Sequence, residues 1–541
     1  MVATAQARQC VKTYDAVVVG AGISGMYMVY RLREQGLKVR AIEAGTSVGG
    51  TWYWNRYPGA RVDSQSHVYQ YWFSDELLNE WHWPERFPDQ TVMEKYLNHV
   101  ADRFDLRGDI QFNTRVRSAR YNESTGRWTV ATSMGETFDA QYAVFCTGGI
   151  SAPLIPPYPG HDKFRGQIFH TARWPKDPVD FEGKRVGIIG TGATGIQVVQ
   201  AVAPQSEHLT VFQRTPNYAV PMRNTKYGPE DMARFRAGYA ELRQRVHGTF
   251  AGFDYDFQDK TFRETDPQER QAILERLWSE GSLAMWIGGF RDLFTDAEVN
   301  EEISRFVRAK IRVRIKDPKV ADMLVPTSYG FGTRRVPLEN GYYETFNRDN
   351  VELVDLGAEP IKTITEDGIR TSLQEIALDI LILATGFDTG TGALSAIDVR
   401  GRGDVSMRES WKQGIRTTMG LTVHGYPNLF TTMAPFAPAA AFCNVPTCLQ
   451  QQVDWISDFI RYSRERGITT IEPTRELEDK WIAHHDEVAN MTLIPGTKSW
   501  YMGSNVEGKL PRLLSYIGGV GVYRQHCEEI KASGYQGFAM A

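Results

Sequence analysis

No stretch of the sequence is apolar over the roughly 18–20 residues that a bilayer-crossing helix needs, and the N-terminus lacks a basic segment followed by an apolar one. Neither a membrane anchor nor a secretory leader is therefore expected, and the reading is a soluble, cytoplasmic protein. Blocks of like charge are also missing: 61 basic residues face 65 acidic ones, for a net charge of −4. That balance excludes a polybasic stripe for nucleic acid or a charged lipid surface. A small molecule is the expected partner, bound by a monomer or weak homo-oligomer. Cysteine is scarce. The five, Cys10, Cys146, Cys443, Cys448 and Cys527, are odd in number and mostly isolated, which argues against a disulfide framework. Only Cys443 and Cys448 lie close together.

At 541 residues the chain has room for two to four domains and a large core. Residues 14–19 form a β-branched run that reads as a buried parallel strand, and Gly20, Gly22 and Gly25 follow it at G-x-G-x-x-G spacing. A helical pattern and a second strand over 38–43 complete a βαβ unit. Its glycines allow a tight turn, a close approach of backbone to a pyrophosphate, and a helix N-terminus facing the anion. Glu43 stands eighteen residues after Gly25, where a carboxylate accepts hydrogen bonds from ribose hydroxyls. The next stretch, residues 49–63, is rich in glycine and aromatics and suits a loop under a planar ring. Asp63 is its only carboxylate and either holds a cation near that ring or lies in a solvated turn. The tryptophans at 52, 54, 72, 81 and 83 are either core packing or a flat ring site. Thr91 and Glu94 have capping-box spacing for a helix over 91–104. Strands are expected over 110–116, 127–132 and 136–145.

The βαβ signature then repeats. Residues 184–189 give a strand, Gly190, Gly192 and Gly195 the turn, and a helix runs through Ala203. The following strand delivers Arg214 nineteen residues after Gly195, so the position held by an acid in the first unit now carries a base. A guanidinium there pairs with a ribose 2′-phosphate, aided by the Thr215 hydroxyl, which points to NADP in the second unit and an unphosphorylated ribose in the first. Two such units are most simply FAD and NADPH, the pair of a flavoprotein oxidoreductase. Residues 223–330 read as a helical insertion, with Asp266 and Pro267 as cap and first-turn residue and 299–311 as an amphipathic helix. Arg334 and Arg335 follow in a glycine-bearing loop and are either solvated or functional. The fold class is α/β: two Rossmann-like dinucleotide-binding domains, for FAD at 1–152 with 387–541 and for NADP at 153–222 with 331–386, plus the insertion. Residues 146–149 and 384–386 are expected to cross between them, and a helix is expected over 449–462.

Phe164, Gly166, His170, Trp174 and Pro175 precede the second glycine turn in a stretch without helix or strand period. Together with Gly50, Trp52, Tyr57, Pro58, Gly59 and Asp63 and the two glycine motifs, they resemble the type I Baeyer–Villiger monooxygenases over essentially the whole chain. That resemblance implies a NADPH- and FAD-dependent enzyme that inserts one oxygen of O2 beside the carbonyl of a cyclic or aryl ketone through a peroxyflavin. It implies that Arg335 is the catalytic cation and Asp63 the carboxylate orienting it, with Arg334 on the 2′-phosphate beside Arg214 and Thr215. Cofactor contacts are implied at Gly20, Gly22, Ser24, Gly25, Glu43, Gly50, Thr51, Trp52, Tyr57, Val62, Asp63, Tyr69 and Val116. Others are implied at Thr191, Gly192, Ala193, Thr194, Gly195, Gln197, Arg214, Thr215, Arg334 and Trp500, the last covering the nicotinamide. The loop 439–445, with Phe442, is implied as the wall of the ketone pocket. His170 reads as an anchor of the linker rather than a general base. No metal is expected. Competing readings are a monooxygenase attacking nitrogen or sulfur, a disulfide reductase using Cys443 and Cys448, and a nucleotide-binding module without turnover.

Overall fold

The computed structural model describes residues 11–439 and 442–541; Cys10 and positions 440 and 441 of the expected pocket loop lie outside them. β1 (Lys12–Val19) buries Ala16, Val17, Val18 and Val19 in succession, the pattern of a strand covered on both faces. It passes through the first glycine turn into α1 (Ile23–Glu34) and β2 (Val39–Ile42), which lies parallel to it with Ala16 opposite Val39. β3 (Ile110–Gln111) extends the sheet beyond β2. β4 (Val116–Asn122), β5 (Arg127–Thr132) and β6 (Thr137–Phe145) form an antiparallel meander whose last strand returns parallel to β1. The single strand expected over 110–116 is interrupted. Asn113 adopts a φ of 54°, and the amides of Asn113 and Thr114 donate to the carbonyls of Gly45 and Glu43 instead of a sheet partner.

A second, all-parallel sheet contains β7 (Gln167–His170), β8 (Arg185–Ile189), β9 (His208–Gln213), β10 (Val351–Asp355) and β11 (Ile380–Leu383), in the order β10-β9-β8-β11-β7. α2 (Ala193–Val202) connects β8 to β9. The insertion is helical, with α3 (Pro229–Gly248), α4 (Pro267–Glu280) and α5 (Ala297–Arg312) as its longest members. Asp266 caps α4 by accepting from the Gln268 amide at 2.8 Å, with Pro267 in the first turn. Val299, Ile303, Val307 and Ile311 are the buried face of α5. One apolar core joins this insertion to the second sheet.

The chain then returns to the first sheet. β12 (Asp398–Arg400) pairs with β4 and β13 (Leu429–Thr431) with β6, both parallel. α6 (Val445–Glu465) buries Val453, Ile456, Phe459 and Ile460 completely. Tyr27 of α1 donates to Asp454 of α6 at 2.7 Å.

Two local expectations are corrected. Helix Gln90–Arg103 is capped by Asp89, extended after Pro88, which accepts from the Val92 amide at 3.0 Å; Glu94 pairs with Arg56 and Gln90 instead of closing a box with Thr91. Cys443 and Cys448 form a disulfide, with Cα atoms 6.5 Å apart, whereas Cys146 and Cys527 are free and buried. Among the described residues no helix is long and apolar enough to cross a membrane, and no cluster of side chains suits a metal ion.

Candidate functional site

The first glycine turn is built by contact with β6. Gly20 has a φ of 104°, and a side chain there would meet the carbonyl of Cys146; one on Gly25 would meet the carbonyl of Gly20. α1 starts at Gly22 without a capping side chain, so its first-turn amides keep their capacity for an anion. Gly50 packs against Gly22 so closely that a Cβ on Gly50 would lie 2.9 Å from the Gly22 Cα, which brings the aromatic loop directly over the turn. Glu43 is buried, and its two oxygens accept from the amides of Ala21 at 2.8 Å and Gly45 at 2.7 Å. Burial raises its pKa, against those hydrogen bonds. Each oxygen retains a lone pair for a ribose hydroxyl. Ser24 bonds Thr432 at 3.0 Å, tying α1 to the returning C-terminal segment.

Within the aromatic loop, Thr51 opens the short helix Thr51–Trp54, and the Trp52 indole donates to Tyr69 at 3.3 Å. Val62 is buried and donates its amide to Pro88, and Val116 begins β4. Of the early tryptophans, Trp81 and Trp83 pack on Tyr96 and Trp72 on Tyr239, as core. Trp52, through Tyr69, is linked to the site.

The second turn repeats the geometry. Gly190 has a φ of 111°, a side chain on it would meet the Ala384 carbonyl beyond β11, and α2 likewise starts at an uncapped Gly192. Thr191 donates to the Thr215 carbonyl at 3.1 Å, fixing the segment that carries Arg214. Ala193, Thr194 and Gly195 form the first turn of α2. Arg334 stacks on Tyr329 at 4.2 Å, and its Nε is buried without a partner. Burial, together with repulsion from Arg214, lowers the Arg334 pKa against the pull of Tyr329. Two cations within each other's field, neither paired to a carboxylate among the described residues, form a seat for an anion. Gln197 has both ends occupied: it accepts from the Tyr57 hydroxyl at 2.9 Å and donates to the Arg61 carbonyl at 3.0 Å. It therefore fastens α2 to the aromatic loop.

Asp63 and Arg335 meet as an ion pair between the two halves. Both are largely buried, and the Arg335 guanidinium lies 5.3 Å from the ring centroid of Trp286. Trp286 in turn donates to the Gly332 carbonyl at 3.2 Å, and Gly332, at a φ of 82°, passes so near the indole that a side chain would collide with it. Phe442 packs on Trp286 at 5.5 Å and on Tyr501 at 5.2 Å. Trp500 stands edge-on to Tyr501 at 4.4 Å, on a segment held down by a Thr497–Thr333 hydroxyl bond of 3.0 Å and by Lys509, which pairs with Asp388 at 2.8 Å. Sequence reasoning missed Trp286, Tyr329 and the Thr333–Thr497 bond, which lie in apolar or loop stretches without a motif. Two surface clefts, of about 570 Å3 beside Gln167 and Lys184 and about 390 Å3 beside Arg236 and Arg243, contain none of these residues.

The linker residue His170 ends β7 with its Nδ1 accepting from the Ala172 amide at 3.1 Å, so the proton sits on Nε2, which donates to the Leu154 carbonyl at 3.1 Å. Thr385 donates to that same carbonyl. Burial lowers the His170 pKa, against the hydrogen bond to Leu154. Lys176, just past Trp174 and Pro175, reaches Thr46 at 2.9 Å and lies over Tyr53 at 5.1 Å. The stretch 164–175 thus carries a strand of the second sheet, and the residue just after it reaches the segment between β2 and the aromatic loop.

Comparison with known proteins adds an independent line. The flavin-binding monooxygenase-like family matches residues 14–251. Acetone monooxygenase (methyl acetate-forming) of Gordonia sp. (strain TY-5) is 52% identical over 98% of this chain and 99% of its own. A Baeyer–Villiger monooxygenase of Pseudooceanicola batsensis is 42% identical over 96% of this chain and 95% of its own. A crystal structure of OTEMO in complex with FAD and NADP superposes with a TM-score of 0.95 at 40% identity, covering 98% of this chain and all of that one.

Proposed function

Because the chain belongs to the Baeyer–Villiger monooxygenases, we propose how its own residues perform that chemistry. The chain is a FAD- and NADPH-dependent monooxygenase that converts a ketone to an ester or lactone. We assign FAD to residues 1–152 and 387–541, NADP to 153–222 and 331–386, and a covering role to 223–330. Bound FAD supplies the redox centre that takes electrons from NADPH and activates dioxygen. The uncapped amides after Gly22 hold its pyrophosphate and Glu43 its ribose. Arg214, Arg334 and Thr215 hold the 2′-phosphate of NADP, a role supported by the partnerless Nε of Arg334.

The observation that carries the reading is the Asp63–Arg335 pair inside an aromatic enclosure. Asp63 orients the guanidinium, and its remaining N–H groups face the negative charge that develops on the reacting oxygens. Trp286, Phe442 and Tyr501 exclude water from that charge, which strengthens the interaction. Trp500 covers the nicotinamide. We place the enzyme in the cytoplasm, where NADPH is regenerated.

The test is incubation of the purified protein with NADPH, dioxygen and acyclic, cyclic, aryl and steroidal ketones, with product identification. An ester or lactone formed in step with NADPH consumption supports the reading. Consumption of NADPH with every ketone unchanged, or oxygenation of amines and sulfides alone, contradicts it.

A further inference from the structure

The enclosure around Arg335 contains a buried hydroxyl that has no hydrogen-bond partner among the described residues. Tyr501 is 1% exposed, and its hydroxyl has no hydrogen-bond partner. Leaving a buried hydroxyl unpaired is destabilising, so its retention here calls for an acceptor. The rings against it, Phe442 at 5.2 Å and Trp500 at 4.4 Å, provide none. The charges of Arg335 and Asp63 both act on the phenol, which sets it within the field of the catalytic pair. Arg335 has only donors to offer, and the Asp63 carboxylate, which accepts from Arg335, makes no hydrogen bond with the phenol. The Thr333 and Thr497 hydroxyls nearby bond each other. Burial holds the phenol protonated, so it is a donor at any working pH. Its backbone is fixed as well: the Leu514 amide donates to the Tyr501 carbonyl at 2.8 Å, and Gly503, at a φ of 67°, ends the turn.

We propose that the Tyr501 hydroxyl donates a hydrogen bond to the carbonyl oxygen of the ketone, making Tyr501 a further catalytic residue beside Arg335. The bond polarises the carbonyl toward attack and strengthens as negative charge collects on that oxygen; the phenol keeps its proton throughout. This rests on the ketone-oxygenating reading above. It assigns the enclosure a second donor, aimed at the substrate, while Asp63 and Arg335 serve the oxygenating side.

Tyr501→Phe removes the hydroxyl and retains the ring, so packing against Phe442 survives. Three quantities are measured on wild type and variant holoenzyme: anaerobic flavin reduction by NADPH, kcat/KM for a ketone, and kcat/KM for oxidation of methyl phenyl sulfide, which has no carbonyl to polarise. The expected result is a roughly 10–100-fold loss with the ketone, with flavin reduction and sulfide oxidation within about twofold of wild type. Ketone turnover at the wild-type level overturns the proposal. So does an equal loss in all three, which marks a packing defect, or a loss confined to flavin reduction, which assigns the hydroxyl to the nicotinamide. Failure of the wild type itself to oxygenate any ketone counts against the functional reading rather than against Tyr501.

Discussion

The two glycine turns share a backbone and differ in the one residue that each presents to a ribose. Gly20 and Gly190 take φ values of 104° and 111°, each packs against a carbonyl of a neighbouring segment, and both helices start without a side-chain cap. At the end of the second strand, however, Glu43 is buried and clamped by two amides, whereas Arg214 is exposed and lies in the field of a second cation, Arg334. A buried, fixed acid suits a nucleotide that stays; an exposed cation suits one that exchanges. Where the halves meet, each contributes one member of the ion pair, Asp63 from the first and Arg335 from the second.

The largest expected effect comes from breaking that meeting point. Arg335→Ala should lower ester formation by about 100–1000-fold or more, while NADPH still reduces the flavin. Oxygenation at the wild-type rate would remove Arg335 from the chemistry. Next in size is the cation that separates the two turns. Arg214→Ala should weaken NADPH by about 10–100-fold and leave NADH nearly unchanged, as read from KM for the two nucleotides; equal losses would erase the distinction between the ribose sites.

The edge of the second sheet should be pH-sensitive through His170, which ends β7 and bonds the Leu154 carbonyl. Burial depresses its folded pKa, so the unfolded chain takes up the proton first. The stability it contributes is full above the ordinary histidine value of about 6.5 and is lost as pH falls through the lowered folded value. Thermal unfolding from pH 7 to 4 should show wild type losing more stability than His170→Asn, and parallel curves would contradict the neutral anchor. The smallest effect is expected at the disulfide. Cys443→Ser with Cys448→Ser should oxygenate ketones within about twofold of wild type, because the bond lies with Val520 in a small apolar cluster outside the two glycine turns. Loss of flavin turnover in that variant would revive a dithiol mechanism.

The sequence made the periodic and repeated parts of this protein readable. Both βαβ units, the opposed residues Glu43 and Arg214, and the insertion helix capped by Asp266 follow from spacing and residue type. Spacing does not separate Arg335 and Asp63 from solvated residues, since they stand 272 positions apart. Only the family resemblance joined them. Trp286 and Tyr501 carry no local signal: an apolar residue in a helical insertion and a tyrosine in a glycine-rich tail become site residues only when the tertiary fold folds both onto Arg335. The cap at Asp89 and the break after Gln111 were misjudged because the residue following a proline and a bond to the 43–45 loop outcompeted the local pattern. The cysteine pair was misjudged because five odd, scattered residues gave no framework from which to single it out.

Isotopically heavy dioxygen gives the most direct check on the central claim. The protein is supplied with NADPH, labelled dioxygen and a ketone that it consumes, and the product is analysed by mass spectrometry. The account predicts an ester or lactone carrying one labelled oxygen at the inserted position for each NADPH oxidised. A product without label, or label placed on carbon away from the carbonyl, would contradict it.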